Sequence, residues 1–196
     1  MKATKRLLGG VLGTCVLLTG CNTMNSPLNS VLPNRPVAPL AMIAQSNGNI
    51  LSQLIVLNKS KIALAQLVKV KAQHPKVKRY AAYIEAEHRK ILRKVMLVSR
   101  KTGIQPVMSA SSQQLEMNAK QELANLRSLN GVDFDRAFIN DSVKLHEAEI
   151  RLINQDIAES TNPRLTAVLK DVRAHVLVHL ERAKEVQAAM NARMGN

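Results

Sequence analysis

The sequence predicts an all-α bundle of four long helices, and three observations carry that prediction. Four stretches place apolar residues at every third or fourth position, the spacing one helix presents to its neighbours in a bundle. No stretch of any length alternates with the two-residue period of a strand. Pro75, Gly103, Gly131 and Pro163 fall between the stretches, where chain-breaking residues belong.

The first helix is expected over residues 48–73, with the seam Ile50, Leu54, Leu57, Lys61, Leu64 and Val68, and stops before Pro75. The second is expected over 76–102, with Val77, Ala81, Ile84, His88, Ile91, Val95 and Val98, and ends at Gly103 as a natural C-cap. After Gln105-Pro106 comes a connection with a shorter helix, 111–129, closed by Asn130-Gly131. The third long helix is expected over 133–160, capped by Asp133, with Ile139, Val143, His146, Ile150, Ile153 and Ile157. Thr161-Asn162-Pro163 turns into the last, 163–190, with Pro163 at its first position and the seam Leu165, Leu169, Val172, Val176, His179, Ala183 and Val186. Two helical hairpins joined by a long crossover containing a short helix form the ferritin-like arrangement of a four-helix bundle.

Each seam is apolar except for one residue near mid-length: Lys61, His88, His146 and His179. Helices of this length run about 40 Å, and all four residues fall within a turn of the helix centres, which puts them in one buried polar layer. His74 and His175 lie off the seams and read as surface or flanking residues.

Ahead of the bundle, Lys2, Lys5 and Arg6 precede an apolar run from Leu7 to Leu18, too short for a membrane span of about 20 residues. The run ends in Leu18-Thr19-Gly20-Cys21, which looks like a bacterial lipobox. The expectation is a lipoprotein signal peptide over 1–20, lipidation at Cys21 and a flexible Pro- and Asn-containing tether over 21–47. The bundle then occupies 48–190, with a C-terminal tail over 191–196. Asn22 follows the cysteine instead of aspartate, which favours an outer-membrane lipoprotein facing the periplasm. The other cysteine, Cys15, lies inside the expected signal, so the processed chain keeps no thiol for a disulfide or for metal binding.

Charge is uneven. Between Lys59 and Lys101 thirteen basic residues face only Glu85 and Glu87, whereas from Thr102 onward the signs nearly balance. The first hairpin is thus a basic face, with Lys69, Lys71, Lys76, Lys78, Arg79, Arg89, Lys90, Arg93 and Lys94 as candidate contacts for an anionic partner. In the envelope that partner is phospholipid, lipopolysaccharide, peptidoglycan or an acidic protein. Nucleic acid is not expected, because Tyr80, Tyr83, Phe134 and Phe138 are too few aromatics for base stacking.

His-Pro-Lys-Val-Lys (74–78), Glu-Ala-Glu-His (85–88), Gly-Val-Asp-Phe-Asp-Arg (131–136), the lone His146 and Val-His-Leu (178–180) resemble the landmarks of the bacterial ferritin-like domain family of unknown function. That family is often labelled "predicted outer membrane protein". The resemblance spans about residues 48–190. It implies an envelope four-helix bundle with His88, His146 and His179 at recurrent histidine positions, and no established reaction. The chain departs from a di-iron ligand set, which needs a glutamate on each of two helices and Glu-x-x-His on the other two. Only Glu85-x-x-His88 is complete; Val176 stands three before His179, and helix one offers Lys61.

Three readings of the layer stand side by side. In the first it is a structural network, Lys61 pairing with Glu85 and the imidazoles bonding to each other, to Glu147 or Glu149 and to water. In the second, His88, His146 and His179 hold one divalent transition metal (Zn, Cu, Ni or Fe), with Glu85 as fourth ligand or support. In the third a histidine serves as an acid–base group. No Gly-rich phosphate loop, nucleophile elbow or His-Glu-x-x-His motif appears, so no catalytic residue is assigned and no enzyme is expected. The functional expectation is a lipid-anchored binding or structural module of the envelope that docks through its basic hairpin, with metal binding at the histidine layer as the alternative.

Overall fold

The computed structural model describes residues 40–192, and the side chains from residue 46 onward. The expected signal peptide, Cys21 and the tether up to residue 39 lie outside the described residues, as do 193–196 of the expected tail. Within them the chain is all-helical: α1 (Leu40–Lys71), α2 (Pro75–Thr102), α3 (Ala110–Ser128), α4 (Gly131–Glu159) and α5 (Pro163–Ala192). Helices α1 and α2 pack as one pair and α4 and α5 as another. The pairs join where α2 meets α5 and, more sparingly, where α1 meets α4, while the shorter α3 lies mainly on α1.

Local chemistry sets the ends. Pro75 opens α2, and the His74 ring accepts from the Lys76 amide at 3.2 Å, satisfying one donor of the first turn. Gly103 closes α2 with φ 71°, the left-handed conformation a glycine adopts at no steric cost. Asn162 caps α5, its carbonyl oxygen accepting from the amides of Arg164 and Leu165 at 3.0 and 3.1 Å. The expected cap Asp133 is not the cap of α4: the helix starts earlier, after Asn130, and Asp133 sits in its first turn. A carboxylate there still favours the helix through the dipole.

The largest difference from expectation is the start of α1, at Leu40 and not at 48. Leu40-Ala41-Met42-Ile43-Ala44-Gln45 is a run of good helix formers with no breaker after Pro39. Asn47 fixes the extension by bonding to Thr161 in the α4–α5 turn, donating to its hydroxyl at 2.9 Å and accepting its amide at 3.2 Å. Gly48 is therefore mid-helix, and its role is close approach. The α2–α3 connection crosses over it, the Val107 amide bonding to the Gly48 carbonyl at 2.9 Å.

The seams of α2 and α5 lie inward as read, except that Val186 is half-buried. The seam of α1 also lies inward except at Leu57, which is half-buried, and Asn58 joins Lys61 as a buried polar residue at its mid-length; the seam of α4 is rotated, Val143, Ile150 and Ile157 being half-buried. On α4 four polar residues at seven-residue spacing are buried: Asp135, Ser142, Glu149 and Asp156. Asp135 turns toward the α1–α2 connection and accepts from the backbone amides of Gln73 and His74, the latter at 2.6 Å. The apolar core is accordingly in two parts. One gathers Val68, Val77, Phe134 and Phe138. The other gathers Ile50, Leu54, Val95, Ile153, Leu169 and Val176.

A Cβ on Gly48 would stand 2.7 Å from the Gln105 carbonyl and 2.8 Å from a Val107 methyl. In an open helix Gly→Ala would gain roughly 0.5–1 kcal/mol; here the crowding reverses the sign. Gly48→Ala is expected to lose about 1–2 kcal/mol net and to lower the melting temperature by a few degrees in thermal denaturation.

Candidate functional site

Between the two core clusters three histidines meet, one each from α2, α4 and α5. His88, His146 and His179 are all fully buried. Their ring centroids stand 5.0 Å apart for His88–His179, 5.6 Å for His146–His179 and 6.1 Å for His88–His146. Each offers one ring nitrogen to a common point, and these nitrogens lie within 4.8 Å of one another. No carboxylate belongs to the group.

The hydrogen bonds decide which nitrogen each ring presents. Asn58 donates its amide to the Leu54 carbonyl at 2.7 Å, which leaves its oxygen to accept from His88 Nδ1 at 2.9 Å. His146 Nδ1 donates to the Ser142 carbonyl at 2.7 Å. With Nδ1 carrying the proton in both, each Nε2 is a bare lone pair, and neither has a partner among the protein groups. His179 has no partner on either nitrogen. Its ring is held by packing: Tyr83 meets it edge-on at 5.6 Å, and Arg182 lies over the outer face of Tyr83 at 4.0 Å. Its backbone carbonyl accepts from Tyr80, whose hydroxyl in turn accepts from Ser142.

Electrostatics keep the rings neutral. Burial pushes His88 well below the usual imidazole range, with the neighbouring His179, His146 and Lys61 adding to it. Burial does the same to His146, reinforced by Lys61 and His179. His179 is lowered to about 4, again by burial first, against the opposing pull of Glu87.

One expected member stands elsewhere. Glu85 does not pair with Lys61 and does not face the imidazoles. Its carboxylate is taken by Lys69 at 2.7 Å, Arg89 at 2.7 Å and Gln66 at 3.1 Å, and the bonds from Lys69 and then Arg89 hold its pKa down to about 2. Lys61 is buried but lies toward the α1–α4 side, where its charge is felt by His146, Glu149 and Glu122. The imidazoles do not bond to one another or to Glu147 or Glu149; Asn58 and the Ser142 carbonyl take those places. The sequence reading missed Asn58 because Leu57 already satisfied the apolar spacing. The available signal was Leu54 four residues before it.

Of the nine candidate anion contacts, Lys69, Arg89, Lys90 and Lys94 hold carboxylates of Glu85, Glu87 and Asp171. Lys71 is turned to the Arg127 carbonyl and the Phe134 ring. Lys76, Lys78, Arg79 and Arg93 remain exposed on α2. His175, expected at the surface, is about one-third exposed and faces Glu87 at 3.4 Å. Among the described residues no helix is long and apolar enough to cross a membrane.

The chain belongs to the family described as Domain of unknown function (DUF4142), whose profile matches residues 32–186. The match covers all five helices except the last residues of α5, and takes in each histidine of the cluster. Comparison with curated proteins and with solved structures gave no significant match.

Lower on the α1–α4 contact, Asp156 accepts from Gln53 at 3.3 Å and has its second oxygen buried without a partner. Burial, then Glu159, raises its pKa to about 7 against an unfolded value near 3.8. The folded chain thus keeps a proton that the unfolded chain has released. The contribution of Asp156 to stability is greatest below pH 4, falls as pH rises toward 7, and levels off above it. Asp156→Asn, neutral at every pH, is expected to melt about 5 °C higher than the wild type at pH 8, roughly 2 kcal/mol, and to show no gain at pH 4. Paired melting curves at the two pH values check this.

Proposed function

We propose that this protein is a metal-binding helical bundle that holds one divalent transition ion between His88, His146 and His179. One observation carries the reading: the rings converge from three helices with Nε2 of His88 and His146 unprotonated and unpartnered, each Nδ1 anchored from behind by an oxygen. Metal-bound histidines are oriented in this way, the second ring nitrogen donating to a carbonyl or a carboxylate that fixes tautomer and aim. The neutral state that burial enforces is the ligating state. Nitrogen ligands on a tetrahedral zinc stand about 3.3 Å apart, so the donors must draw together by up to about 1.5 Å. His179, free of hydrogen bonds, is the ring able to move. Three imidazoles with no carboxylate suit Zn, Cu or Ni better than a ferroxidase pair of irons.

In this reading the bundle has the ferritin-like topology, two hairpins and a crossover, with a single imidazole site where that fold carries two irons. The Leu18-Thr19-Gly20-Cys21 pattern and the apolar run before it support a lipidated chain in the cell envelope, and sequestering or sensing a metal is a role that fits such an address.

The test is elemental analysis of the purified chain after exposure to Zn, Cu, Ni and Fe. One equivalent of one metal is expected, lost in His179→Leu, with a melting temperature raised by roughly 8 °C at a hundred times the dissociation constant. His179→Leu leaves no hydrogen-bond partner stranded, so it should fold. A metal-free protein whose melting is the same in every metal would overturn the reading.

A second reading rests on the exposed Lys76, Lys78, Arg79 and Arg93 of α2, a surface suited to anionic phospholipid or another acidic envelope component. Lys76→Glu, Lys78→Glu and Arg79→Glu together are expected to weaken binding to phosphatidylglycerol vesicles by roughly 100-fold, at about 1 kcal/mol per basic residue. Metal content should be unchanged. Co-sedimentation at low and high salt measures the effect, and equal binding of the triple variant would refute it.

A further inference from the structure

A groove of about 920 Å³ opens between α1, α3 and α4. It exists because α3 packs on α1 and touches α4 only sparingly, so the third wall of that three-helix contact is incomplete. Along α1 it extends from Ser52 to Leu64, about 18 Å at the helical rise, long and narrow in outline. Ile55, Leu64, Met108, Leu115, Leu123 and Leu145 give it apolar walls. The volume falls within the range of small-molecule sites.

Charge on the lining is mostly spent. Lys120 pairs with Glu116 at 2.7 Å and Lys144 with Asp141 at 3.9 Å. Lys59 and Lys61 are in no ion pair. Lys59 is exposed, whereas Lys61 lines the groove with only 7% of its surface exposed and has no carboxylate of the described residues within ion-pair distance. The acids that feel its charge, Glu122 and Glu149, are each pushed up by burial, against the opposing pull of Lys61, and neither stands within ion-pair distance of the ammonium. The Lys61 side chain is held among the groove walls, so an anion that meets its ammonium there would be small and attached to something that fills an apolar slot.

We propose that the α1–α3–α4 groove binds a long-chain fatty acid, its carboxylate on Lys61 and its chain along the apolar walls. A peptide or a protein surface fits poorly, because Lys61 is buried within the groove, where a slender chain reaches more readily than a folded surface. The site is separate from the histidine cluster and does not depend on metal.

Titration of the full chain with palmitate, followed by calorimetry, tests it. Saturable binding of one palmitate per chain is expected, and it persists in EDTA with at most a few-fold weakening. Lys61→Met should weaken it by about 10-fold or more, the loss expected for a charge-assisted hydrogen bond, and Lys61→Arg should keep it within a few-fold. Ala119→Trp, which fills the groove without touching Lys61, should abolish it while the melting curve stays cooperative. Removing a buried charge does not endanger folding, so Lys61→Met remains a usable variant. Failure of the wild type to bind, binding unaltered in both Lys61→Met and Ala119→Trp, or loss of binding in EDTA would each overturn the proposal; the last would assign the carboxylate to the metal.

Discussion

The bundle is organised around a break in its own core. Three imidazoles, Asn58, Lys61 and Glu149 interrupt what would otherwise be one continuous apolar seam, and the hydrophobic residues separate into a cluster on either side. Burying such groups costs stability unless their hydrogen bonds are met, and several atoms here are not met by protein groups. Helices of 28–32 residues make the band tolerable: each long helix has two or three apolar turns above and below it to hold its neighbours. A shorter bundle with the same band would have little core left.

The supports of the band are themselves polar and regularly placed. Asp135, Ser142, Glu149 and Asp156 recur every two turns of α4 and face inward, and three have an identifiable duty. Asp135 caps the α1–α2 connection, Ser142 steadies Tyr80 and, through its carbonyl, His146, and Asp156 answers Gln53. They explain why α1 and α4 contact each other sparingly: the surfaces they share are polar, and α3 is laid over α1 to complete the burial.

This also explains how much was legible from the sequence. Outside the histidine layer the α2 and α5 seams pack on apolar neighbours and could be read from spacing alone, as could the meeting of His88, His146 and His179 at mid-height. The α1 seam was legible except at Leu57 but incomplete, because α3 covers a second flank of that helix and burial there spans more than one stripe, taking in Asn58. On α4 the apolar residues Val143, Ile150 and Ile157 marked a flank, and the buried polar heptad beside them carried no hydrophobic signal. Gly48 read as a boundary because a glycine looks the same whether it ends a helix or lets another segment cross one. Glu85 matched the Glu-x-x-His spacing, but Lys69, Gln66 and Arg89 lie nearer its carboxylate than the imidazoles do to one another, and three donors outcompete a site one turn away.

Lys61 links the two halves of the problem. Its positive charge disfavours the protonated imidazoles, which helps keep them as ligands, and by the same field it opposes a cation among them. An anion seated on the ammonium from the groove side would cancel the repulsion without touching a histidine. Any such coupling must be reciprocal: what an anion at Lys61 gains for a metal, the metal returns to the anion. The sign is fixed by Coulomb's law and the magnitude by the dielectric between them, intermediate between the dry core and the open groove. If both proposed sites are filled, a lysine with no ion-pair partner in a buried layer is the point at which the occupancy of one would be felt at the other.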